Sequence, residues 1–279
     1  MIVDSHVHVV AHDQSAYPLS PRPLSGDWYR EAPHSAEDLL ALMDVTGVDR
    51  AVLVQPLGAY SFDNRYTADS AARYPDRFAS ACCVDIDAAD PRSELSDWLG
   101  ASNMHGVRLF AIGGDPAWLA EDRAAPLWEA AADHHAHVIV TVLAHQLPQL
   151  DAALCRFPDV PVSLDHCGFP PLTSAAGAGA EALFALADHA NLHLKVSTHV
   201  LDAAAKLGDA REFVAALVMR FGAERVMWGS DFCQTHDRSY AALVEIGRQA
   251  FSELPMAAQD LCLGGTALRL WPSLGEASR

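Results

Sequence analysis

The sequence predicts a (β/α)8 barrel, and three observations carry that prediction. Short runs of Val, Ile and Leu recur eight times, without the polar alternation that strands exposed on one face would show. An amphipathic helical stretch follows each run. Eight such units fit a chain of 279 residues, because this barrel typically needs about 250. We therefore predict one TIM-barrel domain over residues 1–279.

Each predicted element follows from this pattern in chain order. The strands are predicted at 2–7, 51–55, 78–84, 106–110, 137–143, 160–165, 192–197 and 225–230. The helices are predicted at 35–44, 64–74, 92–102, 124–135, 146–157, 178–189, 210–221, 238–252 and 255–270. The first helix opens with Ser35 and Asp38 at capping-box spacing. An open doubly wound sheet is the alternative, but it favours a glycine-rich turn where this first strand ends in histidines.

One long connection, residues 9–33, separates the first strand from the first helix. It contains four prolines together with Tyr17, Trp28 and Tyr29. Long loops of this kind are usually functional or disordered. In a barrel it would lie over the C-terminal face, so we predict that it serves partly as a lid and partly as a pocket wall.

The charge balance restricts the partners. Lys and Arg total 19 against 36 Asp and Glu, a formal net charge of −17. A nucleic-acid protein would show a basic stripe, and an anionic membrane surface would repel this chain, so neither partner is expected. The six cysteines form no C-x-x-C pair, which favours free thiols in a reducing compartment. We expect a cytoplasmic enzyme acting on a small molecule, with the oligomeric state left open, a homodimer included.

The N-terminal strand carries the strongest chemical signal, the segment DSHVH. Residues two apart on a strand point the same way, so His6 and His8 would face the mouth of the barrel together. Two neighbouring imidazoles can ligate one metal ion or donate two hydrogen bonds to one oxygen atom. Either use fits the carboxyl ends of the strands, where TIM-barrel enzymes have their active sites.

Two further polar side chains end predicted strands. His166 follows the sixth strand in LDHCG, and Asp231 follows the eighth in WGSD. A carboxylate at the barrel mouth can act as a general base or as a metal ligand. No obvious apolar helix follows Asp231, which weakens the alternative that it caps a helix. Because the first and eighth strands are neighbours in a closed barrel, we expect His6, His8 and Asp231 to lie close together.

The combination of DSHVH, LDHCG and RVMWGSDF resembles the amidohydrolase superfamily, in particular its amidohydrolase-2 type. The likeness is strongest to the branch of pyrone dicarboxylate and sugar lactonases, which also holds metal-dependent decarboxylases. It extends over nearly the whole chain, through GVDRAVLVQP with DNR, HGVRLF, QLPQL, KVS and the closing GGTALRLW. The resemblance implies a barrel hydrolase.

The resemblance also implies roles for the matching residues. In such lactonases an aspartate at the position of Asp231 activates water. Histidines at the positions of His6, His8 and His166 polarise the lactone carbonyl. In zinc-dependent members these same positions help to hold one divalent ion, and His145, just past the fifth strand, is a further candidate ligand. The sequence leaves the metal-free and the zinc-dependent modes open.

Two positions depart from the superfamily's two-metal pattern. Strand four carries Arg108 in place of a lysine or glutamate, and strand five has no histidine at its inward end. A binuclear centre is therefore not expected. A further arginine that would complete a dicarboxylate site is absent from KVSTHV, where Thr198 and His199 stand instead. The role of His199 stays open.

Several polar and aromatic side chains are candidate substrate contacts. They are Arg108, Gln55, Arg65, His236, Tyr17 and Trp28. Related lactonases hold an arginine near the substrate on strand four, which Arg108 matches, and Arg65 would be a second anion contact. Because any anionic substrate would meet the negative field of the protein, a neutral or singly charged lactone is favoured over a dicarboxylate.

These observations predict a hydrolase that opens a lactone of a sugar-acid or aromatic-catabolite type, with Asp231 as the base. The first alternative is a zinc-dependent non-oxidative decarboxylase, or another metal-dependent amidohydrolase of the same superfamily. A second, from a different class, is a barrel that only binds a ligand. That alternative leaves the convergent histidines and aspartate unexplained.

Overall fold

Eight parallel strands pair in chain order in the computed structural model, which describes residues 1–22, 24, 26–100, 104–113 and 117–275. The strands are β1 Val3–Val7, β2 Arg50–Val54, β3 Phe78–Cys82, β4 Gly106–Phe110, β5 His137–Thr141, β6 Val162–Leu164, β7 Leu192–Ser197 and β8 Val226–Gly229. The barrel closes just past β8, where Val7 bridges Phe232 and the amide of Asp231 donates to the carbonyl of His6 at 2.8 Å. The predicted barrel is confirmed, and the open-sheet alternative is wrong.

Helices connect the strands along the described chain. They are α1 Trp28–Glu31, α2 Ala36–Thr46, α3 Leu57–Tyr60, α4 Arg65–Arg73, α5 Pro91–Gly100, α6 Ala125–Asp133, α7 Leu147–Arg156, α8 Glu181–Phe184, α9 Thr198–Ala205, α10 Ala210–Phe221, α11 Tyr240–Phe251, α12 Met256–Asp260 and α13 Thr266–Leu270. Every predicted helix has a counterpart, and 255–270 is interrupted only by a π-helical turn at Leu261–Gly265. The short helices α1, α3 and α9 were not predicted, because they span only four to eight residues.

The first predicted helix start illustrates how local chemistry sets the boundaries. The Ser35 side chain accepts from the amide of Asp38 at 3.1 Å, and the Asp38 carboxylate accepts from the amide of Ser35 at 2.8 Å. This reciprocal capping box was predicted from the spacing. The helix ends where Gly47 takes a left-handed conformation, φ 69°.

The barrel interior changes character along its axis. Its N-terminal end is apolar, with Val3, Val52, Ile139 and Met227 packed on the fully buried Trp271. A Cβ on Gly106 would lie 2.8 Å from that indole, so the close approach requires glycine. Toward the carboxyl ends of the strands the buried side chains become polar and charged. The fold therefore directs its chemistry to one end of the barrel.

Two further observations concern the predicted free thiols and the length and hydrophobicity of the helices. All six cysteines are free, and five of them are buried, whereas Cys155 is exposed. Within the part of the chain that the structure describes, no helix has both the length and the apolar character needed to cross a bilayer.

Candidate active site

The four motif residues meet at the C-terminal mouth of the barrel. Oδ1 of Asp231 lies 3.4 Å from Nε2 of His6 and 3.4 Å from Nε2 of His8. The ring of His6 is 5.0 Å from that of His8 and 5.1 Å from that of His166, centroid to centroid. All four residues are buried, with at most 3% of their surface exposed. The structure thus brings together side chains from β1, the end of β6 and the end of β8.

Two of these side chains are aimed by unusual backbone turns. His166 and Asp231 have φ of 53° and 62°, in the left-handed region that residues with a Cβ seldom occupy. Gly168 continues the first turn at φ 70°, and an added Cβ there would also press to 3.0 Å against Leu147. Backbone strain of this kind persists where the surrounding structure over-determines it, commonly at functional sites.

Hydrogen bonds fix the tautomers of the first-strand histidines. Nδ1 of His6 lies 3.0 Å from Oδ1 of Asp165, and Nδ1 of His8 lies 2.8 Å from the carbonyl of Val54. A carboxylate and a carbonyl can only accept, so both Nδ1 atoms carry the proton. The Nε2 lone pairs of both rings then face Oδ1 of Asp231.

Three buried acceptor atoms therefore converge at this point. Nε2 of His6, Nε2 of His8 and Oδ1 of Asp231 have no hydrogen-bond partner among the described residues. They also form a group of potential metal ligands whose atoms lie within 4.8 Å of one another. Imidazole nitrogen and carboxylate oxygen are ligands that zinc prefers, and a cation would relieve the mutual repulsion of the three atoms. The donor set fits one divalent ion.

Asp165, which sequence reasoning missed as a site residue, organises the floor of the site. Its Oδ2 accepts from Nε of Arg108 at 2.9 Å and from Thr141 at 2.7 Å. Its Oδ1 faces His6 and Nζ of Lys195, the latter at 3.3 Å. Burial opposes ionisation of Asp165, but these neighbouring groups outweigh it and hold its pKa well below the usual range. The available signals were an acid beside the motif histidine and a lysine within an apolar strand.

The second oxygen of Asp231 faces away from the paired histidines. Oδ2 lies 2.9 Å from Nε2 of His199 and accepts from Thr235 at 3.2 Å. Burial would raise the pKa of Asp231, yet that pKa lies well below its usual range, and the hydrogen bond from His199 is the largest cause that lowers it. The same hydrogen bond raises the pKa of His199, whose side chain remains 47% exposed. His199 thus connects the buried carboxylate to solvent.

His166 differs from the other two histidines in its partner. Its Nδ1 lies 2.7 Å from the hydroxyl of Ser197, which has no other side-chain hydrogen bond among the described residues. If the hydroxyl donates, Nε2 of His166 carries the proton and can donate into the mouth. Burial lowers the pKa of His166 to about 4, so the ring is neutral near pH 7.

Comparison with known proteins identifies the family. The sequence model of the amidohydrolases matches residues 3–273, nearly the whole chain. The chain belongs to the amidohydrolase family. The family prediction made from DSHVH, LDHCG and WGSD is therefore confirmed.

Individual relatives match this amidohydrolase over most of its length, by sequence in the first case and by structure in the next two. It is 29% identical over 236 residues to an L-fucono-1,5-lactonase of Burkholderia ambifaria, covering 82% of this chain and 79% of the relative. A probable 2-pyrone-4,6-dicarboxylic acid hydrolase of Acinetobacter baumannii superposes with a TM-score of 0.79 at 19% identity, covering 97% and 99% of the two chains. An amidohydrolase of Burkholderia multivorans with bound zinc gives a TM-score of 0.77 at 21% identity, covering 98% and 99%.

Two predicted substrate contacts of this amidohydrolase border the site. Arg108 is 5% exposed and lines, with Phe110 and Trp118, a cavity of about 410 Å³ that adjoins the ion pair of Arg108 with Asp165. Trp28, from the predicted lid and wall segment, lies 5.7 Å from the ring of His8. The end of that segment therefore forms a wall beside His8, whereas Pro23 and Ser25 lie outside the described residues.

Two other predicted contacts are used within the loop after β2. The amide of Gln55 donates to the carbonyls of Ser61 and Asp63 at 3.1 and 3.0 Å and accepts from Thr67 at 2.7 Å. Every side-chain group of Gln55 is thus occupied, so it braces the loop instead of facing substrate. Arg65 is 54% exposed and paired with Asp63 at 2.6 Å. Its role as an anion contact stays a prediction, and the ion pair at the start of α4 occupies its guanidinium in this structure.

Three further predictions are not supported by the placement of the side chains. Tyr17 donates to Asp69 at 2.7 Å, and its ring lies 4.8 Å from that of Tyr66, so both of these contacts are with α4. His236 lies 3.1 Å from Glu31, so it joins the last loop to α1 at the rim. His145 is exposed and belongs to none of the potential ligand groups found among the described residues.

Proposed function

We propose that this amidohydrolase opens a lactone ring, with water attacking the carbonyl carbon and Asp231 accepting its proton. The observation that carries the proposal is an ionised, fully buried Asp231 whose Oδ1 lies 3.4 Å from two imidazole nitrogens. The relative of Burkholderia ambifaria, an L-fucono-1,5-lactonase, supports this reaction class. We propose the whole barrel as one catalytic domain, and its free thiols support a cytoplasmic location.

The proposal includes one divalent cation, zinc in the first instance. Nε2 of His6, Nε2 of His8 and Oδ1 of Asp231 would hold it, because these three atoms converge and are otherwise unpartnered. When bound, such an ion polarises a carbonyl group and lowers the pKa of water. The zinc in the amidohydrolase of Burkholderia multivorans supports the choice of metal. We assign His166 to the substrate instead, because its Nε2 is free to donate.

The protein's own residues account for the proton movements. Asp231 takes one proton from water as the oxygen of that water bonds to the carbonyl carbon. The negative charge that develops on the carbonyl oxygen is met by the Nε2 hydrogen of His166, a preorganised donor of the kind worth about 3 kcal/mol. When the bond between carbon and ring oxygen breaks, Asp231 returns its proton to that oxygen. The product is a hydroxy acid.

The charges around the cavity favour a neutral lactone that carries hydroxyl groups. Its charged lining consists of Arg22, Arg108, Arg123, Asp85 and Asp87. Arg108 is balanced by Asp165 and Arg123 by Asp87, so Arg22 is the cation of this described lining that no carboxylate pairs. A dicarboxylate would need two free cations. The mixture of donors and acceptors instead suits the hydroxyl groups of a sugar lactone.

A lactone screen with metal analysis tests this proposal. Purified protein should contain about one equivalent of zinc per chain, and it should open sugar 1,4- or 1,5-lactones faster than aromatic dicarboxylate lactones. Chelation should abolish the activity, and added zinc should restore it. Release of carbon dioxide from hydroxybenzoates without lactone opening would contradict the proposed hydrolase activity. Full activity without metal would contradict the proposed cation but would not contradict the proposed lactone hydrolysis.

A further inference from the structure

Lys195 is a charged side chain sealed inside the barrel, and the proposed reaction gives it no step. It is one of two lysines in the sequence, and only 1% of its surface is exposed. Its Nζ lies 3.3 Å from Oδ1 of Asp165 and 3.3 Å from Nδ1 of His6. Lysine is almost never fully buried unless it is paired, because removing an ammonium group from water is costly. Because Lys195 lies against His6, its location points to a role in the candidate site.

Asp165 is held at both of its oxygens. On one side, Nε of Arg108 and the hydroxyl of Thr141 fix Oδ2 at 2.9 and 2.7 Å. On the other side, Oδ1 has two neighbours, Lys195 and His6. Without Lys195 the imidazole would be the one side-chain partner that the described residues offer to Oδ1. The lysine therefore restricts rotation of the carboxylate.

The distances also show whether Lys195 donates to Asp165 or to Nδ1 of His6. It could donate to Nδ1 of His6 only if that nitrogen carried a lone pair. That lone pair would then also face Oδ1 of Asp165 at 3.0 Å, acceptor against acceptor. With the proton on Nδ1, both the imidazole and the ammonium donate to the same carboxylate oxygen, which removes the conflict. Charge-assisted bonds to an ionised carboxylate are the stronger choice.

We propose that Lys195 is a positioning residue that acts through Asp165 to hold His6 with its Nε2 atom toward Asp231. By this arrangement Lys195 sets how tightly the three convergent atoms bind a divalent cation, although it touches neither cation nor substrate. This inference rests on the proposed function, which assigns His6 to the metal. Partners that orient a metal-binding histidine typically change metal affinity 10- to 100-fold when they are altered.

The test is a double-mutant cycle on zinc affinity, measured by competition with a chelator of known strength. Lys195→Met removes the charge at nearly constant volume, and Asp165→Asn removes the negative partner. Each single variant should bind zinc about 10- to 100-fold more weakly. The double variant should bind no more weakly than Asp165→Asn alone, because Lys195 acts through Asp165. Lys206→Met, at the exposed second lysine, is the matched control and should leave zinc affinity unchanged.

A purely structural lysine would give a different pattern. Affinity of Lys195→Met within about twofold of wild type, or losses that multiply in the double variant, would overturn the proposal. Lys195→Gln keeps a donor to Oδ1 and should retain more zinc affinity than Lys195→Met. It also keeps the test available if the methionine variant does not fold.

The tautomer of His6 supplies a readout that needs neither zinc nor substrate. Long-range ¹H–¹⁵N spectra of metal-free, ¹⁵N-histidine-labelled protein should show His6 protonated at Nδ1, with the signal assigned from a His6→Gln variant. In Lys195→Met the Nδ1 form should persist, because the Asp165 carboxylate still accepts from that nitrogen. Wild-type His6 protonated at Nε2 would refute the inference, because Lys195 would then donate to Nδ1 itself. If wild-type protein binds no zinc, the metal assignment fails separately, and this spectrum still decides the role of Lys195.

Discussion

Nε2 of His199 lies 2.9 Å from Oδ2 of Asp231, on the carboxylate oxygen opposite the one that faces His6 and His8. One oxygen of the aspartate therefore belongs to the buried centre, while the other reaches a half-exposed imidazole. This bridge explains how a fully buried carboxylate can stay ionised and still exchange protons with solvent. It also indicates which substitutions separate chemistry from binding.

Asp231→Asn should abolish most of the turnover while sparing the affinity for a product hydroxy acid. The amide keeps the shape of the side chain but cannot take a proton from water, and a positioned general base contributes roughly 10²- to 10⁴-fold. Steady-state kinetics should show that loss in kcat, and calorimetry should show product binding changed far less. A kcat within a few-fold of wild type would show that another group is the base.

His199→Gln should lower kcat without changing the zinc content. The glutamine can still donate toward Oδ2 but cannot carry charge or relay a proton. Losing the positive charge weakens that bond and removes the relay, and a weakening of about 1.4 kcal/mol corresponds to a loss of roughly tenfold. His236→Gln, at the rim beside Glu31, is the matched control and should behave like wild type. Equal effects in both variants would contradict a specific link between His199 and Asp231.

Arg108→Met and Arg65→Met should have opposite consequences. Arg108 is buried between Asp165 and the cavity, so its removal should lower kcat/KM at least about tenfold, since bonds between charged partners are the strong ones. Arg65 makes an exposed ion pair with Asp63, and such pairs contribute at most about 1 kcal/mol to stability. Its variant should keep both the stability and the kinetics of the wild type. A large kinetic loss in Arg65→Met would instead support Arg65 as a substrate contact.

The stability of the metal-free protein should fall as the pH drops from about 6.5 to 4. Burial lowers the pKa of His166 from 6.5 to about 4, so the unfolded chain binds a proton in this interval that the folded chain does not. The free energy of unfolding should therefore decrease by about 3 kcal/mol from this residue alone. Denaturant titrations of His166→Gln across the same range should show a decrease smaller by about that amount. A parallel pH profile in the variant would contradict the assignment.

The predicted fold depended on patterns that survive in a linear sequence. Apolar runs fix the strands, and amphipathic stretches fix the helices, because each element buries a face with its own period. The residues at the carboxyl ends of β1, β6 and β8 were accessible by the same logic. In a parallel barrel all carboxyl ends lie at one face, so His6, His8, His166 and Asp231 had to share it.

The hydrogen-bond partners of the predicted substrate contacts could not be predicted from the sequence. Gln55 stands at the end of β2 like a substrate contact, yet the turn after it supplies main-chain carbonyls that occupy its amide. Arg65 is likewise taken by the neighbouring Asp63. Side-chain hydrogen bonds depend on loop conformation and rotamer, which no local pattern specifies.

By itself, therefore, the sequence determined the barrel, the face that carries the chemistry and the four residues placed there by strand order. Tertiary structure decided what each of them can do. The left-handed turns at His166 and Asp231 aim these side chains inward, and the meeting of Asp165 with Lys195 from adjacent strands fixes the His6 tautomer. The strands and helices are set by periodic burial, whereas donor and acceptor roles are set by contacts that form only when distant segments pack together.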